Sequence, residues 1–453
     1  METKRTVTDF FDKEYLEYAK YVVENRAIPH VIDGLKPTQR KVVYVANKIW
    51  KGGNGKPMKL FQLGGRVASE AFYHHGNTSL EGAMVTMAQK FKNSLPLLEG
   101  VGQFGSLRSP SAGAPRYISA KLHPNFRLIY KDFELLENRI EEGQEIEPEY
   151  FLPIVPTIIL NGSSGIAVGF ATNILNRNPK TVIKACLALL NGKRMPPLPP
   201  WVDEFKGTFQ RHPDNPKTWK ISGRCDVVNT TTVKVTEIPP HFTYEKYEEV
   251  LNKLVDKKVI QSYEDNSSET IEYVLKFQRS VLKDLRTKEK LESTLKLLSQ
   301  ETENLTSIDE NGKLKIFNKV EDIVQHFVEI RLGWYDKRKT FLINKLEEEL
   351  KILSNKARFI HDIITKKLKI NNVPKRQIIL YLETADFDEV NDSYNYLLSM
   401  PIHSLTKEKY EEILAEEHQK KIELIKIKKM DPKEMYIDDL TELKALIKKN
   451  YSK

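Results

Sequence analysis

The stretch best equipped for chemistry is Ser111-Ala-Gly-Ala-Pro-Arg-Tyr-Ile118, where small residues and a proline deliver Arg116 and Tyr117 side by side. A phenol titrates near ~10, so at neutral pH a tyrosine attacks a phosphodiester only with cationic help. Arg116 can favour the phenolate and neutralise the phosphoryl oxygens. Taken alone, the pair reads more simply as an amphipathic tyrosine packed beside a surface arginine.

Other reactive types are weaker candidates. His74 and His75 are adjacent, cannot face one way on a regular element, and have no third ligand at metal spacing, so a phosphate or a core group is their expected partner. Gly52-Gly-Asn-Gly-Lys56 lacks the spacing of a phosphate loop and precedes Pro57, which marks a turn. Gly100-Val-Gly-Gln-Phe-Gly-Ser106 reads as a wing or turn passing close to something bulky. Ser163 and Ser164 fail the nucleophile-elbow pattern because Ile166 stands where glycine is needed. The run Glu141, Glu142, Glu145, Glu147, Glu149 has no Asp-x-Asp spacing and reads as a solvated linker.

The elements that must position these residues follow from periodicity. An arm over residues 1–25 carries Phe10, Phe11, Tyr15, Tyr18, Ala19 and Val22 at helical spacing. Pro37 opens a helix to about Trp50, with Val42, Val45 and Ile49 on one face and Lys36 and Arg40 on another. A second helix spans Leu63 to Phe72 and carries Arg66; a third opens at a capping box, Thr78 to Glu81, with Leu80, Met84, Met87 and Phe91 as its apolar stripe. Three such helices with interleaved basic residues predict a helix-turn-helix or winged-helix module. Phe151–Pro156 and Ile158–Leu160 read as strands, followed by a turn-rich loop from Asn161 to Gly169. Pro196–Pro200 is a rigid connector, and further strands are expected at Trp219–Ile221, Thr231–Ile238 and Glu269–Phe277. From about Ile323, Leu342, Leu346, Leu350, Leu353, Ala357, Ile360 and Ile364 form a coiled-coil seam. A helix restarting after Pro401, capped by Ser404 or Thr406, returns antiparallel, with a small knob over residues 365–400.

Composition bounds the class. At 453 residues the chain holds about two to four domains. No eighteen-residue apolar run occurs, and the two cysteines, Cys186 and Cys225, form no CxxC pair, so a soluble protein of a reducing cytoplasm is expected. A net charge of +9 points to a polyanion such as nucleic acid.

Read in order, Arg26-Ala-Ile-Pro, Asp33-Gly-Leu-Lys-Pro, Arg40, Tyr73-His-His-Gly76, Ala88-Gln89, Gly102-Gln-Phe-Gly105, Pro115-Arg-Tyr117, Glu147-Pro-Glu-Tyr150, Val155-Pro, Asn161-Gly-Ser-Ser-Gly-Ile-Ala-Val-Gly169 and Tyr396-Leu-Leu-Ser-Met-Pro401 resemble the breakage-and-rejoining subunit of type IIA DNA topoisomerases. His74-His75-Gly76 and Gly102–Gly105 look eukaryotic, whereas Asn161–Gly169 looks like bacterial gyrase A; that blend is most similar to the medium subunit of T-even bacteriophage enzymes.

The resemblance implies an α+β multidomain fold: an N-terminal arm (1–30), a winged-helix cleavage domain (31–150), an α/β tower (151–325), and a long antiparallel coiled coil ending in a dimer gate (326–453). It implies that Tyr117 is the nucleophile, assisted by Arg116, Arg26, His75 and, in support, His74. DNA is expected to meet Lys36, Arg40, Lys41 and Arg66, with Ile166 wedged between base pairs. The implied activity is ATP-dependent relaxation and decatenation through a 5′-phosphotyrosyl break. Since the chain carries no Walker loop or acidic cluster, ATP and Mg²⁺ are expected on a large partner subunit, in a hetero-oligomer built on a homodimer of this chain. The competing reading is a non-catalytic DNA-bridging winged-helix/coiled-coil protein; a metal-dependent nuclease lacks its acidic ligands.

Overall fold

The computed structural model describes residues 11–51, 55–124, 126–268, 270–285 and 287–450. Phe10 of the expected arm, Gly52, Gly53 and Asn54 of the expected turn, and Glu269 of an expected strand lie outside them. The described residues fall into two compact units: those up to Arg331 together with those from Asp439, and Leu332–Asp438.

The first unit begins with helical turns at Phe11–Tyr15, α1 (Leu16–Val22) and Val23–Ala27. Val22 is buried with Ala27, Ile28 and Ile308, while Phe11, Tyr15 and Tyr18 face solvent. Pro37 sits in the first turn of α2 (Pro37–Ile49), where its missing N–H costs nothing. Strand β1 (Met58–Lys59) leads directly into α3 (Leu60–Glu70), and α4 follows at Asn77–Ala88. Leu60, Leu63, Val67, Leu80 and Met84 are fully buried where these helices meet Val42, Val43 and Val45. Each such side chain contributes about 1.5–3 kcal/mol. Strands β2 (Leu98–Val101) and β3 (Ser119–Leu122) then complete an antiparallel sheet in the order β1-β3-β2.

Several expectations give way here to tertiary structure. The capping box does not form: Gly76 is the residue before α4, no side chain caps the helix, and Phe91 lies past its end. The acidic run is no solvated linker but a hairpin of β4 (Asn138–Glu141) and β5 (Gln144–Pro148), in which Glu147 is buried against Arg139 and Lys41. Thr157–Leu160 is a helical turn rather than a strand, fixed by the Thr157 hydroxyl donating to the Asp33 carbonyl at 2.6 Å. Gly34, at φ +67°, makes this packing possible, since a Cβ there would lie 2.4 Å from the Ile158 nitrogen. The loop expected over Asn161–Gly169 is mostly the hairpin β6 (Ser163–Ile166) and β7 (Ala171–Ile174).

Beyond α5 (Pro179–Leu190), capped by the Asn178 side chain, two antiparallel sheets follow. One joins β8 (Thr208–Arg211), β9 (Thr218–Ser222) and the later strand Leu298–Thr302. The other runs β10 (Arg224–Val227), β11 (Thr232–Glu237), then Tyr273–Lys276 and Ser262–Asp265. Val233, Val235, Tyr273 and Leu275 pack there against Tyr247 and Leu251 of α6 (Tyr244–Asp256).

In the second unit, the part of the long helix α7 (Val320–Ile364) from Leu332 onward pairs with a helix that Thr406 caps through the Lys409 amide, Lys407–Lys429. Leu353, Ala357 and Ile360 pack on Ile413, and Glu347 meets Lys428 at 2.6 Å, so the two run antiparallel. Residues between them fold around Phe359, Leu382, Phe387 and Leu397. A final helix, Pro432–Asn450, had no clear signal in the sequence; its Lys131–Asp439 contact at 2.6 Å belongs to the first unit.

Candidate functional site

The nucleophile candidate lies at the end of the loop between β2 and β3, two residues before β3 begins at Ser119. Tyr117 is 70% exposed, and the Arg116 guanidinium carbon stands 5.0 Å from the centre of its ring. The backbone beneath it is fixed at both neighbours. The Lys59 ammonium donates to the Tyr117 carbonyl at 2.9 Å, and the Tyr117 amide donates to Ala114 at 2.8 Å. The free N–H groups at the start of α3 are used on the same segment: Leu60 donates to Ile118 at 3.1 Å and Phe61 to Pro115 at 3.4 Å. A phenol on a pinned backbone with a guanidinium against its ring is suited to attack an anionic ester.

Upstream, the Gln89 amide is buried and donates to the carbonyls of Phe104 (2.8 Å) and Pro110 (3.1 Å). Arg108, 7% exposed, reaches Glu237 at 2.6 Å and the carbonyls of Ile238, Pro239 and Phe242 at 2.6–3.0 Å. Burial lowers the Arg108 guanidinium from its ordinary range, against the opposing pull of Glu237. Sequence reasoning missed Lys59 and Arg108, and it quoted Gln89 without a role. Ala88-Gln89 was a signal for the last; Arg108 has none, because its partners lie about 130 residues further along the chain.

The histidines face a different group. His75 shares a hydrogen bond of 3.0 Å with the Tyr21 hydroxyl and meets Tyr73 edge-on, and His74 lies 3.8 Å from Glu141. Both line a cleft of about 530 Å³ with Tyr21, Thr38 and Lys41. Arg26 is exposed at the end of the arm. Among the described residues, no hydrogen bond or ion pair joins Tyr117 to Arg26, His74 or His75.

Two of the residues expected to meet DNA have their charged groups engaged within the chain. Arg40 is 5% exposed and binds Asp33 at 2.7 and 3.1 Å and the Leu35 carbonyl at 3.1 Å. Burial alone would depress its pKa; Asp33, joined by Glu149 and Glu147, offsets this, and the net direction is upward. Placing Arg40 and Lys36 on one basic face overlooked that the Phe151 amide also donates to Asp33, which encloses the pair. Lys41 is directed to Glu147 at 3.1 Å and to the Ala71 carbonyl. Arg66 remains partly exposed and pairs with Glu70 one turn away.

Lys36 has a more specific place. Its ammonium donates to the Ser164 carbonyl at 2.7 Å, and burial lowers its pKa from the usual lysine range. Gly165 lets this happen: a Cβ there would come within 2.3 Å of the Ala27 carbonyl and 3.0 Å of the Lys36 nitrogen. The hairpin β6–β7 is thereby seated on α2 and the arm, with Ile166 at its end 87% exposed and Phe170 beside it. An isoleucine exposed on a braced hairpin is suited to insert into an apolar gap, such as that between stacked bases.

Among the described residues, no three His, Cys, Asp or Glu side chains gather as metal ligands. No helix among them is long and apolar enough to cross a membrane.

Residues 26–444 match the family model of the DNA gyrase/topoisomerase IV A-subunit. The chain is 34% identical over 463 residues to the mitochondrial DNA topoisomerase 2 of Dictyostelium discoideum, covering 98% of this chain and 35% of that protein. It is 35% identical to DNA topoisomerase 2 of Plasmodium falciparum, covering 97% of this chain and 34% of that one. The chain thus spans about a third of the length of these curated relatives. A crystal structure of the Plasmodium falciparum topoisomerase II DNA-binding, cleavage and re-ligation domain superposes with a TM-score of 0.87 at 33% identity, over 98% of this chain and 66% of that one.

Proposed function

The chain belongs to the DNA gyrase/topoisomerase IV A-subunit family, and from that membership we propose that it is the DNA-breaking and rejoining part of a type II topoisomerase. The observation that carries the reading is the exposed Tyr117 phenol on a backbone pinned by Lys59, with Arg116 against its ring. The phenol gives up its proton to water as its oxygen attacks a phosphorus of the duplex, the bond between that phosphorus and the 3′-oxygen breaks, and the released 3′-oxygen takes a proton from water. The product is a 5′-phosphotyrosyl ester. It keeps the energy of the diester, so the 3′-hydroxyl reverses the step without ATP.

Residues 31–150 act as a winged helix; the order helix, strand, two helices, strand, loop, strand supports it. Residues 151–325 are the tower. Ile166 wedges into the DNA, held out by Lys36 and Gly165, while Arg26, His74 and His75 approach the backbone flanking the break. Two copies, joined through the coiled-coil unit, cut opposite strands. ATP and Mg²⁺ sit on a separate large subunit, and the assembly relaxes and decatenates DNA in the cytoplasm. The mixture of eukaryotic-like and gyrase-like motifs supports placement beside the medium subunit of T-even bacteriophage enzymes, with a role in DNA replication.

The test is a supercoil-relaxation assay of the assembled enzyme beside a DNA-binding assay. Tyr117→Phe is expected to bind DNA normally and to relax none; relaxation by that variant refutes the reading. A DNA-bridging protein without catalysis would bind but never relax, even as wild type.

A further inference from the structure

The loop from Gly102 to Ile118 contains no helix or strand, yet it carries the reacting residue. Such a segment keeps one geometry only where its groups are tied to something rigid. Lys59 and the first turn of α3 hold the end nearest Tyr117, and Gln89 holds Phe104 and Pro110. The middle is held from the neighbouring sheet. Arg108 directs its guanidinium into four acceptors supplied by residues 237–242, and its own carbonyl takes the Tyr244 amide at 3.2 Å.

We propose that Arg108, clasped by Glu237, is a positioning residue for the reaction of Tyr117, tying the nucleophile loop to β11 and the segment after it. The proposal rests on Tyr117 being the nucleophile. Several features distinguish this contact from an ordinary surface pair. Both side chains are buried, at 7% and 4% exposure. Glu237 is preset, since its carboxylate also accepts from the Lys206 amide at 2.9 Å and the Ile238 amide at 3.1 Å. The planar guanidinium fork meets several acceptors at once, which a lysine ammonium on a flexible stem does not reproduce. Because Arg108 is enclosed, any influence on the DNA reaction passes through the loop. Displacing a reacting atom by about 1 Å costs on the order of 10²-fold in rate.

The experiment compares wild type, Arg108→Ala, Arg108→Lys and Glu237→Gln in the assembled enzyme. It measures the rate of covalent adduct trapped on labelled DNA, the affinity for the same DNA, and backbone amide exchange along the chain. Arg108→Ala is expected to slow adduct formation by roughly ten- to a hundredfold, with affinity changed by less than about twofold because phosphate contacts elsewhere persist. Amides over 102–118 exchange faster while those of β3 stay protected. Glu237→Gln, which keeps size and an acceptor, slows the reaction less; Arg108→Lys restores little. Slowing that merely tracks lost DNA affinity or lost β3 protection in both Arg108→Ala and Glu237→Gln overturns the proposal, as does undiminished adduct from Arg108→Ala. Wild type yielding no adduct at all overturns the nucleophile assignment and this proposal together.

Discussion

The pairing of Tyr117 with Arg116 was legible because adjacency is local information, whereas the environment of Arg40 was not. Its burial depends on Asp33, on the Phe151 amide and on the Tyr130 hydroxyl, which donates to the Asp33 carbonyl at 3.0 Å. Removing one partner of such a pair leaves the other charge buried and unpaired, so Arg40→Ala is expected to cost about 3–5 kcal/mol of folding stability, measured by denaturant unfolding. A residue serving only to touch DNA would change affinity and leave the unfolding midpoint in place. His30 gives a second test. Burial lowers its pKa from 6.5 to about 4, against the opposing effect of Asp33, and its Nδ1 accepts from the Ile32 amide at 3.2 Å. Below pH 6.5 the unfolded chain takes up a proton that the buried ring refuses until about 4. Stability therefore falls as pH drops through that window, by about 3 kcal/mol in all from this group. His30→Asn, whose oxygen can replace Nδ1 as acceptor, is expected to remove that part of the pH slope between 6.5 and 4.

At the scale of elements, helices with strong local signals were readable. Pro37 marked the start of α2, and Thr406 capped its helix, because both signals act within one turn. Elements defined by distant partners were not. Thr157–Leu160 has the apolar run of a strand but turns helical over the Asp33 carbonyl, and β4–β5 looked like a charged linker until Glu147 met Arg139 and Lys41. The hairpin β6–β7 was expected as a loop, although its exposed Ile166 was singled out by resemblance. That hairpin carries its own prediction. Ile166→Ala changes an 87% exposed side chain, so the melting temperature should move by no more than about 2 °C, since surface changes stay within about 0.5 kcal/mol. DNA bending, read by energy transfer between labelled duplex ends, should fall sharply in the same variant; unchanged bending would remove the wedge role.

For the whole molecule, the division into two units bears on assembly. The unit Leu332–Asp438 exposes Ile402 at 83% and Leu380 at 57%, apolar surface that a second copy would cover if the coiled coil forms the dimer gate. Sedimentation of the full chain is expected to give dimers, and Ile402→Asp to shift them toward monomer without altering the melting profile; unchanged dimers in that variant would place the interface elsewhere. The claim on which everything else depends is the covalent bond itself. It is tested most directly by denaturing the assembled enzyme on DNA, digesting the DNA and the protein, and sequencing the modified peptide by mass spectrometry. Trypsin cuts after Arg116 and Lys121. The expected product is a nucleotide joined through its 5′-phosphate to the tyrosine of the peptide Tyr117 to Lys121; a nucleotide on any other residue, or cleaved DNA carrying no peptide, would rule out Tyr117 as the nucleophile.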